Sequence, residues 1–170
     1  MAADLKPRAT REAYGEALLE LGKRHDNVVA LDADLAGSTK SGQFGKAFPE
    51  RFFNVGVAEA NMMSMAAGFA ISGKIAYAST FAVFATGRAF DQVRQSIDAQ
   101  RRTVRVCASH GGLTGGADCC PHQSIEHIGL MRLLPHMIGV VQADVPTHLA
   151  RVQPVSAPSR PPGHPPCPAH

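Results

Sequence analysis

Asn54-Val55-Gly56-Val57-Ala58-Glu59-Ala60-Asn61-Met62-Met63 runs from a short apolar segment straight into a long Ala- and Met-rich one. Residues 54–57 read as a very short strand, and residues 58–70 as an apolar helix that follows at once, with an acid at the junction. Met62, Met65, Ala66 and Phe69 recur at i, i+3, i+4 and i+7, the spacing of a buried helical face. A strand that feeds directly into such a helix is one unit of a helix-covered parallel sheet.

The same alternation continues on both sides. Tyr14, Ala17, Leu18 and Leu21 predict a helix that Thr10 can cap and Gly22 nearly ends. Val28 to Leu31 is a short apolar run that stops at Asp32, as a buried parallel strand would. Beyond the central stretch, Ile75 to Ser79 reads as a strand and Phe90, Val93 and Ile97 as a helix. Thr103 to Ala108 is a further strand, Ile125, Ile128 and Leu133 suit another helix, and Met137 to Val141 predicts a fifth strand. The expected fold class is α/β, a parallel sheet flanked by helices, whose ligands gather at the carboxyl ends of the strands.

Composition narrows the function. The 170 residues are 45% hydrophobic and 18% charged, with a formal charge of +3. Arg151 and Arg160 lie in the last twenty residues, which hold no acid, so the body is nearly neutral. That balance argues against nucleic acid as a partner. No run of eighteen apolar residues exists and the start lacks the apolar core of a secretory signal, so no membrane is expected. Cys107, Cys119, Cys120 and Cys167 are few and irregularly spaced, which suggests reduced thiols in a cytoplasmic setting. Residues 1–150 are expected to form one domain. Residues 151–170 carry seven prolines and few apolar side chains, and are expected to be a disordered tail or, less simply, a proline-rich ligand.

Three segments that follow strands carry the chemistry. Glu59 alone could be a first-turn acid favoured by the helix dipole. Thr80-Phe81-Ala82-Val83-Phe84 alone could be two core aromatics. The third runs from Ser109-His110 through a Gly-rich loop to Asp118, Cys119, Cys120, Pro121 and His122, and on to Glu126. Glycines there let backbone approach a ligand closely. Three polar or aromatic segments at successive strand ends point to one shared site. Cys119, Cys120 and His122, with His110, offer a metal set, but adjacent cysteines lack the two-residue gap common in zinc sites, and no metal is expected.

The order Asp32-Ala33-Asp34, then Asn54 to Glu59, then Phe81 to Phe84, then His110, then Asp118 and His122 to Glu126 resembles the pyrimidine-binding domain of transketolases. It also resembles the related deoxyxylulose-phosphate synthases and the separate C-terminal subunits of split transketolases. The likeness runs from about Thr10 to Asp144. It implies thiamine diphosphate as cofactor and two-carbon ketol transfer between sugar phosphates. It implies that Glu59 hydrogen-bonds N1′ of the aminopyrimidine and favours the imino tautomer, whose 4′-nitrogen can take the thiazolium C2 proton. Phe81 and Phe84 then pack on the pyrimidine, and Asp34 lies near the cofactor and the subunit interface. His110, Asp118 and His122 contact the sugar phosphate, His122 being also a catalytic candidate. Arg11 and Ser38 help hold the phosphate.

Two departures accompany the resemblance. The family has glycine and a small residue where Cys119 and Cys120 stand, which alters the loop holding Asp118 and His122. The family features also stop near Asp144, so the domain is expected to be incomplete at its C-terminal end, without the later arginine that helps bind phosphate. The Gly-Asp-Gly motif that holds the diphosphate and Mg²⁺ in the family does not occur in this sequence, so a partner chain is expected to supply it, in a dimer or other oligomer. The alternatives are a deoxyxylulose-phosphate-synthase-like subunit and a non-catalytic truncated remnant.

Overall fold

The computed structural model describes residues 9–113 and 120–142. Four strands, β1 (Val28–Asp32), β2 (Phe52–Asn54), β3 (Ile75–Phe81) and β4 (Val104–Ser109), form one sheet in the order β2-β1-β3-β4. Every pairing is parallel, with Asp32 opposite both Asn54 and Ser79, and Phe81 opposite Ser109. The α/β parallel sheet expected from the sequence is therefore present.

Alternation along the strands sorts the core into two layers, because successive side chains leave opposite faces of a sheet. Val28, Ala30 and Tyr77 face Tyr14, Ala17, Leu18 and Leu21 of α1 (Thr10–Arg24), together with Phe44. Phe44 belongs to α3 (Gly42–Ala47), which follows the single turn α2 (Ala36–Thr39). Val29, Leu31, Ala76 and Ala78 face the other way, onto Met62, Met63, Ala66 and Ala67 of α4 (Glu59–Ile71) and onto Ala85, Ala89, Val93 and Ile97. The last four lie on a helical stretch whose middle is α5 (Phe90–Gln92). Its two flanks, Phe84–Arg88 and Val93–Asp98, are wound wider than an α-helix, with i→i+5 bonds from Ala89 N to Phe84 O and from Ala99 N to Arg94 O.

Several local expectations change. Thr10 is the first residue of α1 rather than its cap; Ala9 holds the cap position and its carbonyl accepts from Glu12 N. The second strand is Phe52–Asn54, so residues 55–57 form the loop into α4. That shift follows from pairing, since β2 ends where β1 ends and Val55 N donates to Asp32 O. The last helix, α6 (His127–Arg132), is short and leaves Ile125 and Leu133 outside it, both exposed. No fifth strand forms among the described residues: Met137 N closes a turn onto Leu134 O, and Ile138 is 81% exposed. An apolar run becomes a strand only where a ladder takes its backbone groups, and β4 offers no such pairing to residues 137–142. No helix among the described residues is long and apolar enough to cross a membrane. The expected tail, residues 151–170, lies outside the described residues.

Candidate functional site

The chain order reverses between β1 and β3, which lie side by side while their onward connections run to opposite edges. Such a point leaves a crevice at the carboxyl ends of the strands. Asp32 closes β1 there and is fully buried. Its Oδ1 accepts from Leu35 N at 2.6 Å, and its Oδ2 accepts from Thr39 Oγ1 and Ser41 Oγ, both at 2.8 Å. Burial raises its pKa above the ordinary carboxylate range, although these three donors oppose the shift. Asp32 thus braces the segment after β1, which carries Asp34 and the single turn α2 with Ser38. Asp34 adopts φ +64°, and its N–H donates to Asn54 Oδ1 at 3.2 Å, tying the ends of β1 and β2 together.

Glu59 is the first residue of α4, and it is not a solvated dipole acid: it is 1% exposed. Arg88 Nη1 donates to both of its carboxylate oxygens, at 3.0 and 3.1 Å. The Arg88 guanidinium also lies 4.4 Å from the centroid of Phe84, one wide turn earlier. Phe84 in turn meets the edge of His122 at 5.6 Å, and Phe81 stacks behind Phe84 at 6.0 Å. Ala33, Asp34, Val57, Glu59, Phe84 and His122 line a recess of about 240 Å³ that Leu35 and Arg88 complete. Drug-sized ligands occupy cavities of about 300–1,000 Å³. This recess is smaller, nearer the scale of a single ring, and it presents the Phe84 and His122 rings beside the Asp34 and Glu59 carboxylates. A larger hollow of about 310 Å³ over α4, between Met65, Gly68, Phe69 and Ser72, is wide open and lined by no ionisable side chain.

A second group adjoins the first through Phe81. His110 follows β4 with φ +57° and lies 4.2 Å from the Phe81 ring, while Arg11 on α1 reaches its Nε2 at 3.3 Å. Of the four described non-glycine residues in the left-handed region, Asp34 and His110 flank this site, while Lys40 and Arg101 do not line it. The structure accordingly brings Glu59, Asp34, Phe84 and His122 into one recess and sets Phe81, His110 and Arg11 beside it. Phe81 is nearly buried and backs the recess rather than lining it. Ser38 rides on α2 and does not line the recess. Asp118 and Cys119 lie outside the described residues. Among those described, no group of three or more His, Cys, Asp or Glu side chains could hold a metal ion.

Arg88 is the residue that sequence reasoning missed. Its signal was its place four residues after Phe84 in a stretch otherwise short of charge.

A parallel α/β domain with a buried glutamate and an aromatic wall at its strand switch point belongs to the open-sheet α/β class, whose ligand sites lie at the carboxyl ends of the strands. Residues 6–153 match the family described as transketolase, pyrimidine binding domain, and the chain belongs to that family. A Methanocaldococcus jannaschii protein assigned provisionally as a transketolase C-terminal section is 49% identical over 137 residues, 81% of this chain and 43% of the relative. Human transketolase is 41% identical over 128 residues, 75% of this chain and 20% of the relative. A split-gene transketolase solved as an inactive β4 tetramer superposes with a TM-score of 0.77 at 52% identity, over 88% of this chain and 48% of that one. The chain therefore spans less than half the length of these relatives.

Proposed function

We propose that this chain is the pyrimidine-binding part of a transketolase subunit, acting in a complex on sugar phosphates. The observation that carries the reading is the buried Glu59 carboxylate at the foot of a recess walled by Phe84 and His122. When bound, thiamine diphosphate supplies the electron sink for moving a two-carbon ketol unit. Glu59 holds a proton against N1′ of the aminopyrimidine. Phe84, backed by Phe81, offers the ring a flat apolar face and keeps water from it. His122 and His110 reach the sugar hydroxyls, with Asp118 beside them. Arg11 and Ser38 hold the phosphate, and Asp34 lies near the cofactor and the subunit contact. The diphosphate and Mg²⁺ are held by the partner chain, whose Gly-Asp-Gly motif this sequence lacks. A cytoplasmic setting agrees with a thiol left free at Cys107. The transketolase names of the relatives favour ketol transfer over the deoxyxylulose-phosphate reading.

The test is hydrogen–deuterium exchange at the cofactor C2 carbon, in a complex of this chain with a subunit carrying the Gly-Asp-Gly motif. Glu59→Gln keeps size and hydrogen bonding but cannot offer an acidic proton, so exchange should slow by about 10²–10⁴-fold. A dipole acid would instead cost about 0.3–1 kcal/mol of stability and leave exchange unchanged. Equal exchange in variant and parent rejects the catalytic role. A chain that forms no such complex supports the remnant reading.

A further inference from the structure

The contact between Arg88 and Glu59 bears on how the recess is opened. The guanidinium is a flat cation whose N–H groups point along its edge. Here it donates to both oxygens of Glu59 while lying over the ring of Phe84. An aminopyrimidine is likewise flat, carries an amidine-like edge, and under the reading proposed above would use the same carboxylate and the same aromatic face. We infer that Arg88 is an internal stand-in for the aminopyrimidine, a side chain that fills the cofactor's seat and must leave it before the ring can enter. The inference rests on that reading of Glu59 and Phe84.

The geometry makes release feasible. Only Nη1 of Arg88 meets the carboxylate, rather than the two parallel bonds from two nitrogens that make an arginine–carboxylate pair strong. The Arg88 side chain is 52% exposed, so water can receive the guanidinium when it swings out. The wide turn closed by Ala89 N on Phe84 O sets Arg88 back over the ring one turn earlier. The other ionisable groups lining the recess are Asp34 and His122, and His122 meets the Phe84 ring edge-on. While Arg88 is seated, Glu59 has a partner and Phe84 is covered. An internal occupant of this kind lowers apparent affinity in proportion to the fraction of molecules it fills.

The experiment titrates 4-amino-2-methylpyrimidine into the full chain, its Phe rings followed by NMR, for the parent, Arg88→Ala and Arg88→Lys. If Arg88 fills the seat in about nine molecules of ten, Arg88→Ala binds the probe about tenfold more tightly than the parent. Acetamidinium should then shift the Phe84 ring in Arg88→Ala, compete with the pyrimidine and restore the weaker parental affinity. A merely structural role for Arg88 predicts no such rescue. Lysine keeps a cation near Glu59 but lacks the plane that covers Phe84, so Arg88→Lys should bind the probe with intermediate affinity. That arm decides the matter if Arg88→Ala does not fold. Equal or weaker binding in the variants, with the probe still shifting Phe84, overturns the inference and leaves the seat intact. A probe that shifts Phe84 in no protein overturns the seat itself, and the inference with it.

Discussion

Arg11 Nη1 lies 3.3 Å from His110 Nε2, and His110 Nδ1 lies 2.9 Å from Ser109 Oγ. A guanidinium can only donate, so Nε2 is the accepting nitrogen and the imidazole proton resides on Nδ1, directed at the serine hydroxyl. A residue near the start of α1 therefore sets the tautomer of a histidine at the end of β4.

The pair yields a kinetic prediction. In the assembled enzyme, Arg11→Leu removes a cation expected to meet the substrate phosphate. A hydrogen bond to a charged group contributes about 1.5–3 kcal/mol, so KM for a phosphorylated sugar should rise on the order of tenfold or more. KM for the unphosphorylated sugar should change little. Steady-state kinetics with both substrates make the comparison. An equal rise for both would assign Arg11 to orienting His110 and not to the phosphate.

Gly22 offers a stability prediction independent of the site. A Cβ placed there would lie 2.5 Å from Phe44 Cε2 and 2.6 Å from Phe48 Cε2. Phe44 is fully buried, and the half-buried Phe48 is covered by Arg51 at 4.0 Å from its ring centroid, so the inner ring has little room to yield. Alanine would gain about 1 kcal/mol of helix propensity over glycine. Overpacking in a filled core costs about 1–3 kcal/mol. The second effect should win, and Gly22→Ala should unfold at a lower urea concentration than the parent. A higher midpoint would show that the two rings yield.

How far the sequence was legible depends on what each feature needs. β1 and β3 were readable as buried strands of a helix-covered sheet, because apolar content is a local property. Glu59, Phe84 and His122 were also found from their places after successive strands, and the fold brings them together. What failed was whatever depends on a partner. Residues 137–141 have the apolar content of a strand, but a strand needs a ladder, and none reaches them. Ile125 and Leu133 fit a helical spacing, yet the helix that forms is too short to hold them. The link between Glu59 and Arg88 spans 29 residues and depends on a wide helical turn, which no apolar period announces.

Asp32 provides the pH test. Its folded pKa is raised, chiefly by burial, with the nearby charge of Asp34 adding a little and the donors from Ser41, Leu35 and Thr39 subtracting. In the unfolded chain its pKa is about 3.9. The folded state therefore holds this proton more tightly than the unfolded one. The stability it contributes is fully present below about pH 4 and is lost as pH rises through the raised folded value. Asp32→Asn removes the titration while nearly keeping the shape. The amide can still accept one hydrogen bond, and Thr39 Oγ1 already has an alternative acceptor in Leu35 O at 3.2 Å. Urea unfolding of both proteins from about pH 4 to pH 8 follows the effect, because titrations of groups not coupled to Asp32 cancel in the difference and only the small coupling to Asp34 remains. The parent should be favoured most at the acid end, and its advantage should shrink as pH rises, levelling off once Asp32 is ionised in both states. A parental advantage that grows with pH would mean that the three donors outweigh burial. Asp32 would then brace the loop before α2 as a carboxylate charged at lower pH than the unfolded residue.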